Sequence, residues 1–520
     1  MTKAQTGAEA LVRSLISGGI TTCFANPGTS EMHFVAALDR IPGIRCVLGL
    51  QENTVTGMAD GYYRVLGRPA ATLLHCGPGL ANGIANLHNA RRAESGIVNI
   101  TGDHALAHVA YDSPLTTDIA ALAGASSDWF HIGTAPEAIG TDAAHSIAAA
   151  GTGAGHGRVA TLVLPADVSW SEGGEAAAAP ERSPLVAPEP AVIREAAAAL
   201  RGQEKTVIVL GTAGLTRAAH PLIAAIAAAT GAEIKSSGMV AVQPRGRDAL
   251  DIQPVPYPVD LALAALAPFT RVITVGCPLP TAFFLYPGRP SLVTRDGAQH
   301  IALSGRDDDA QAALEALAAE LGVPVLPLPV RPVSAFTEPE GEITAEGFAE
   351  TVCGLIPANA IVVNEALTLG TGFPARAGRT EPCDWLHITG GAIGGGLPVA
   401  TGAAVAAPGR RVITLQADGS AAYTMQALWT QAREGLDCLT LILNNRSYAI
   451  LVGEYAKVGA DPGPTAMDML SLDRPAIDWV GLAASLGVAG EAVTTLGDLR
   501  AAMQGALGRR GPYLIDVRFA

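Results

Sequence analysis

Short apolar runs that suit buried strands alternate with Ala- and Leu-rich helical stretches along most of the chain. Strands joined through helices pair in parallel, so this rhythm predicts α/β architecture with mainly parallel sheets. Two segments interrupt it. Ser171 to Pro190 is rich in Glu, Ala and Pro, and roughly Gly322 to Glu342 carries VPVLPLPVRPVSAFTEPEGE. Both read as extended linkers. A chain of 520 residues is too long for one hydrophobic core. The linkers divide it into three doubly wound domains, expected at 1–170, 190–322 and 342–520. The first and third blocks share a strand, a polar residue with glycine, then a helix: ATLLHCGPGLANGIANLHNARR and VITLQADGSAAYTMQALWTQARE.

The net charge of −14 and the lack of any basic run argue against a nucleic-acid binder. The N-terminus reads as an amphipathic helix, with Leu11, Val12, Leu15 and Ile16 on one face. Glu9 and Arg13 interrupt it, so it is no secretory signal. No apolar stretch is long enough to cross a bilayer, and a cytoplasmic location is the default. Seven scattered cysteines without a CxxC pair suit reduced thiols and speak against structural zinc.

The richest chemistry lies in residues 411 to 450. Arg411 to Gln416 reads as a buried strand ending in Ala417-Asp418-Gly419-Ser420. A helix follows, with Met425, Leu428, Trp429 and Ala432 on one face. Leu439 to Leu443 is a second strand, ending in Asn444-Asn445. In such a unit both strands end on the same sheet edge, about 5 Å apart. Asp418 and Asn445 are then placed to share one cation, and their oxygens suit Mg²⁺ with phosphate. Gly419 admits a phosphate closely, and the helix start offers N–H groups. The same residues also serve as an N-cap and a turn, so the pattern alone admits both readings. A P-loop is excluded, because no Gly-Lys pair exists in the chain.

The stretch ADGSAAYTMQALWTQAREGLDCLTLILNNRSYAIL resembles the thiamine-diphosphate motif of the acetolactate synthase and benzoylformate decarboxylase superfamily. The resemblance implies that Asp418 and Asn445 ligate Mg²⁺ through side chains and Ser447 through its carbonyl. Gly419 and Ser420 would contact the diphosphate. Ala417 departs from the family's usual first glycine. GGAIGGGLPVATGAAVA is similar to the loop beneath the cofactor: Ile393 aligns with the apolar wedge, and the Gly391 carbonyl would accept from the aminopyrimidine. Asn364 to Thr368 looks like a loop near the diphosphate, with Thr368 as a contact.

Four strands of the first block end in polar residues: Asn26 to Glu31, Gln51-Glu52, His75-Cys76 and Gly102-Asp103-His104. In a parallel sheet these ends crowd one edge, where ligands of open α/β folds bind. Glu52 reads from pattern as an acid at a helix start. LQENTVTGMADGYYRVLGRPA resembles the family segment whose glutamate activates the cofactor by promoting proton loss at thiazolium C2. TLLHCGPG is similar to a benzoylformate decarboxylase segment whose histidine handles substrate protons, which implicates His75. Thr29, in FANPGTSE, aligns with the substrate-binding serine there. The decarboxylase's middle-domain histidine is missing, and Phe283 falls near its place; His104 and His108 are candidate substitutes.

The resemblance spans the chain and implies pyrimidine-binding, middle and diphosphate-binding domains. In this family the cofactor lies between two subunits, so a homodimer is the minimum and a homotetramer is common. The implied reaction takes a 2-oxo acid, loses carbon dioxide and, in an acetolactate-synthase-like carboligase, adds a second carbonyl acceptor. A non-ligating decarboxylase, an FAD-containing oxidase and a non-catalytic cofactor-binding homologue are the alternatives. GTAGL in the middle block is a partial dinucleotide signal, so FAD is admitted but not favoured.

Overall fold

A computed structural model describes residues 5–153, 155–181 and 184–519. Three sheets carry the described strands, each flanked by helices. The first has six parallel strands in the spatial order Arg45–Leu48, Thr22–Ala25, Ala70–His75, Ile97–Asp103, Val159–Pro165 and Trp129–Ile132. The second has five parallel strands, with Thr206–Leu210 at its centre beside Arg271–Val275. The third has seven, and Ile361–Glu365, Val412–Ala417 and Cys438–Asn444 run side by side in its middle. Parallel pairing places the carboxyl ends of consecutive strands on one edge. The two stretches marked as linkers are largely without regular structure, and helix Pro190–Arg201 begins where the first ends.

One strand crosses this block pattern. Val242–Arg245 lies in the middle stretch of the chain but pairs antiparallel with Cys383–His387, closing an edge of the third sheet. Pro244 sits within it. Proline cannot donate to a ladder, which confines such a strand to an edge. The region after Ser420 also differs from expectation. The helix starts at Asp418, stops at Thr424 and resumes as Ala427–Glu434. At the break the Thr424 hydroxyl donates to the Gly394 carbonyl at 2.7 Å.

The first and third sheets are bound by a shared core. Phe24, Met58 and Leu74 pack in one cluster with Val363, Val399, Ala400 and Val412. At its centre helix Glu52–Leu66 crosses helix Gly396–Ala406. A methyl group on Gly61 would overlap the Val399 carbonyl, and one on Gly402 the Met58 carbonyl. The two backbones therefore touch, and only glycine fits at those points. Beside the crossing Arg64 and Asp60, both buried, form a two-pronged ion pair at 2.7 and 2.6 Å. Arg64 also donates to the His387 carbonyl and the Thr389 hydroxyl of the third-sheet unit. No helix among the described residues is long and apolar enough to cross a membrane.

Gly402→Ala is expected to cost about 1–3 kcal/mol through overpacking at the crossing. Gly505→Ala lies in open space on helix Leu496–Leu507. It is expected to be neutral or stabilising by up to about 1 kcal/mol. Urea denaturation of the two variants checks the contrast; equal midpoints would contradict it.

Candidate active site

At the carboxyl edge of the third sheet, Ala417 lies opposite Leu443, so the turns that follow are neighbours. The Asp418 carboxylate joins them. Its Oδ1 accepts from the Gly419 N–H at 2.8 Å and its Oδ2 from the Arg446 N–H at 2.7 Å. Burial pushes the Asp418 carboxyl up; the two N–H donors hold it down, and Asp516 adds a smaller upward push. Asn445 Oδ1 accepts from the Ser447 N–H at 3.0 Å. The bridge between Ser447 and Ser471 uses the carbonyls of Arg446 and Leu470, leaving the Ser447 carbonyl outside that ladder.

This is an all-oxygen donor set: one carboxylate, one amide and one backbone carbonyl. It fits a hard cation such as Mg²⁺, which takes few protein ligands and completes its shell with phosphate and water. A cation there would also favour the charged form of a carboxyl that burial opposes. Gly419 and Ser420 occupy the first turn behind Asp418, and Ser420 is buried, with its Oγ on the Ala417 carbonyl at 3.0 Å. Thr368 is exposed, in the short turn Leu367–Gly370 that follows strand Ile361–Glu365.

The glycine-rich loop lies against the same unit. Gly391 and Gly394 have φ of 78° and 95°, the region that side chains resist, with half-buried Ile393 between them. Asn89 holds the loop twice, donating to the Ala392 carbonyl at 2.7 Å and accepting its N–H at 3.2 Å. Phe283, reaching in from the middle stretch, packs against Gly391, and its ring also meets Tyr257 and Phe284. An apolar wall thus stands where sequence comparison marked a missing histidine.

The first sheet supplies a second cluster. Glu52 opens helix Glu52–Leu66 and is buried; its Oε2 accepts from Asn82 Nδ2 at 3.0 Å. His75 ends strand Ala70–His75, and its Nδ1 lies 2.9 Å from Oε2 of Glu31, which is fully buried. Burial pushes the Glu31 carboxyl up, while the Gly28 N–H and His75 hold it down. Glu31 closes the short turn Thr29–Glu31, Gly28 just before it lies against the His75 ring, and Thr29 is exposed. Cys76, next along, is buried and contacts the Ser30 hydroxyl at 3.4 Å; burial lifts its thiol to about 11. His104 is engaged with Ser113 at 3.1 Å, and exposed His108 lies beside its ring.

Glu31, Asn82, Asn89 and Glu365 were not singled out as site residues from sequence. The asparagines had a visible signal: Asn82, Asn86 and Asn89 recur at helical spacing in ANGIANLHNA. In the second sheet the turns after Thr206–Leu210 and Arg271–Val275 meet at Gly211 and Gly276, and a methyl group on Gly211 would overlap the Gly276 carbonyl. Gly155 of the first block packs on Ala213 of that turn.

Comparison with known proteins agrees with this geometry. Residues 5–123 match the family model described as thiamine pyrophosphate enzyme, N-terminal TPP binding domain, and residues 371–517 match the C-terminal TPP binding domain. A Mycobacterium tuberculosis protein named "Putative acetolactate synthase large subunit IlvX" is 44% identical over 98% of both chains. The chain belongs to the thiamine pyrophosphate enzyme family. Benzoylformate decarboxylase of Pseudomonas aeruginosa is 29% identical over 96% of each chain. Among solved structures, the thiamine diphosphate-dependent 4-hydroxybenzoylformate decarboxylase of Rhodococcus jostii RHA1 superposes with a TM-score of 0.85, at 26% identity over 99% of both chains. This thiamine pyrophosphate enzyme therefore carries the three-sheet fold of its decarboxylase relatives and is of the lyase and transferase kind.

Asp418→Ala is expected to weaken thiamine diphosphate and Mg²⁺ binding together, by at least about tenfold. Calorimetric titration of the variant checks this; a normal cofactor affinity would remove Asp418 from the metal site.

Proposed function

We propose that the protein is a thiamine-diphosphate- and Mg²⁺-dependent carboligase of acetolactate synthase type, acting on a 2-oxo acid and a second carbonyl acceptor. The observation that carries this reading is the Asp418, Asn445 and Ser447 oxygen set on neighbouring strand ends, beside a glycine loop bent at Gly391 and Gly394. The 44% identity to an acetolactate synthase large subunit relative supports the ligating branch. In this reading 1–170 is the pyrimidine-binding domain, 190–322 the middle domain and 342–520 the diphosphate-binding domain.

Asp418, Asn445 and Ser447 would hold Mg²⁺, and Gly419, Ser420 and Thr368 would contact the diphosphate. The Gly391 carbonyl would accept from the aminopyrimidine, and the Ile393 side chain would pack against the cofactor. Bound thiamine diphosphate supplies the electron sink for loss of carbon dioxide. Glu52, whose carboxylate Asn82 fixes, would hold the pyrimidine by a hydrogen bond and be the group placed to handle its proton. His75 moves a proton at the substrate through Nε2, because Glu31 occupies the Nδ1 side. Thr29 lies on the same turn and contacts the substrate.

This reading takes two chains per cofactor. Within one chain Asn82 touches Glu52 and Asn89 touches the glycine loop. These asparagines are seven residues apart on one helix, about 10 Å of rise. As the family resemblance implies, the acid of one chain would serve the loop of a partner. Helix Ala449–Val458, just after the metal turn, buries none of its residues and exposes Leu451, Val452 and Val458, as a surface awaiting a second copy would. A homotetramer built from such dimers follows the family habit. A flavin is not favoured, since the switch-point turns at Gly211 and Gly276 are in contact. Seven free cysteines suit a cytoplasmic enzyme.

Simple decarboxylation is the second reading, favoured by the His75–Glu31 pair and by full-length similarity to decarboxylases. Mass spectrometry of products from a panel of 2-oxo acids, with and without an aldehyde acceptor, separates the two. A 2-hydroxy ketone or acetohydroxy acid is expected, and aldehyde alone would favour the second reading. His75→Asn is expected to slow turnover by about 10²-fold or more while leaving cofactor affinity unchanged. Steady-state kinetics beside calorimetry test this, and wild-type turnover would exclude His75.

A further inference from the structure

Glu365 ends strand Ile361–Glu365 and is 2% exposed. No lysine or arginine pairs with it among the described residues. Its two oxygens instead grip the backbone on either side of Gly395. Oε1 accepts from the Gly394 N–H at 2.6 Å, and Oε2 accepts from the Gly396 N–H. Gly396 begins an eleven-residue helix, whose positive end faces the carboxylate. In the adjacent strand Gln416 lies opposite Glu365, and Gln416 binds Ser420 of the proposed diphosphate turn. Burial pushes the Glu365 carboxyl up, while the Gly394 and Gly396 N–H groups, Gln416 and Ser420 hold it down.

One buried carboxylate thus touches both halves of the candidate cofactor seat: the loop of Gly391 and Ile393 on one side, the turn of Gly419 and Ser420 on the other. We propose that Glu365 is the positioning residue that fixes the height of the pyrimidine loop relative to the diphosphate turn. It touches backbone rather than cofactor and acts through the Gly391 carbonyl and the Ile393 wedge. This rests on the cofactor reading above. Glutamine keeps the size of the side chain but replaces one acceptor oxygen with a donor, which meets an N–H head-on. The loop then loses one of its two anchors. Diphosphate and Mg²⁺ contacts supply most of the binding, so orientation suffers more than affinity.

The test uses the full-length protein, with Glu365→Gln, Glu365→Asp and wild type compared. In the cofactor-free protein, hydrogen–deuterium exchange of the loop amides at Gly394 and Gly396 is expected to quicken at least tenfold in Glu365→Gln. With thiamine diphosphate and Mg²⁺ added, exchange of the cofactor C2 proton is expected to slow at least tenfold, while the calorimetric Kd rises less than C2 exchange slows. Glu365→Asp, which keeps the charge on a shorter arm, is expected to recover part of the C2 rate, and it carries the test if the glutamine variant does not fold. Unchanged loop protection, or wild-type C2 exchange in a folded variant, would overturn the proposal. If wild type itself binds no thiamine diphosphate, the cofactor reading fails instead, and loop protection still decides whether Glu365 is the anchor.

Discussion

The contact on which the rest of the molecule depends is the crossing of helix Glu52–Leu66 over helix Gly396–Ala406. Both helices start at functional sheet edges. Glu52 opens one, and the Gly391–Gly395 loop runs into the other. Gly61 and Gly402 let the backbones meet, and the buried Arg64–Asp60 pair reaches across to the His387 carbonyl. A slide of either helix would drive carbonyl groups into one another. The core that joins the first and third sheets therefore also fixes the separation between the acid and the glycine loop.

The same sheet edges bury acids that no lysine or arginine pairs with among the described residues. Glu31 takes the Gly28 N–H, Glu365 takes those of Gly394 and Gly396, and Asp418 takes those of Gly419 and Arg446. In each case a carboxylate shapes a turn by collecting backbone donors. Glu350, away from these edges, shows the other solution. Burial works against its charge, yet the Thr337 N–H, Arg379 and Arg376 bring its carboxyl down to about 2. Ion pairing of that kind makes a fixed structural joint. Backbone-bound acids keep lone pairs and negative potential available, which is what the proposed metal and its phosphate ligand would need from Asp418.

Legibility in the sequence followed contact range. Asp418, Gly419, Asn445 and Ser447 sit in one strand–helix–strand unit, where spacing along the chain fixes position in space, and the fold brings them to one sheet edge. The four polar strand ends of the first block emerged for the same reason. Glu31 escaped notice because its partner His75 is 44 residues away. The place of Val242–Arg245 was equally hidden, since its pairing with Cys383–His387 depends on how the middle stretch docks rather than on local pattern. Glu365 was visible only as part of a motif, because its two hydrogen bonds go to backbone atoms about thirty residues away. Backbone partners leave no side-chain signature.

Asparagines at 82, 86 and 89 give helix Cys76–Ala93 a double duty that follows from this geometry. One end of the stripe orients Glu52, and the other end holds the Ala392 segment of the same chain. Asn86 sits between them, bound to the Asn53 backbone and to Asn89. If each cofactor lies between two chains, this one helix supports the acid of one site and the loop of the other. A disturbance along its polar face then reaches both sites of a dimer at once. In that arrangement the pairing of sites would run through a single helix.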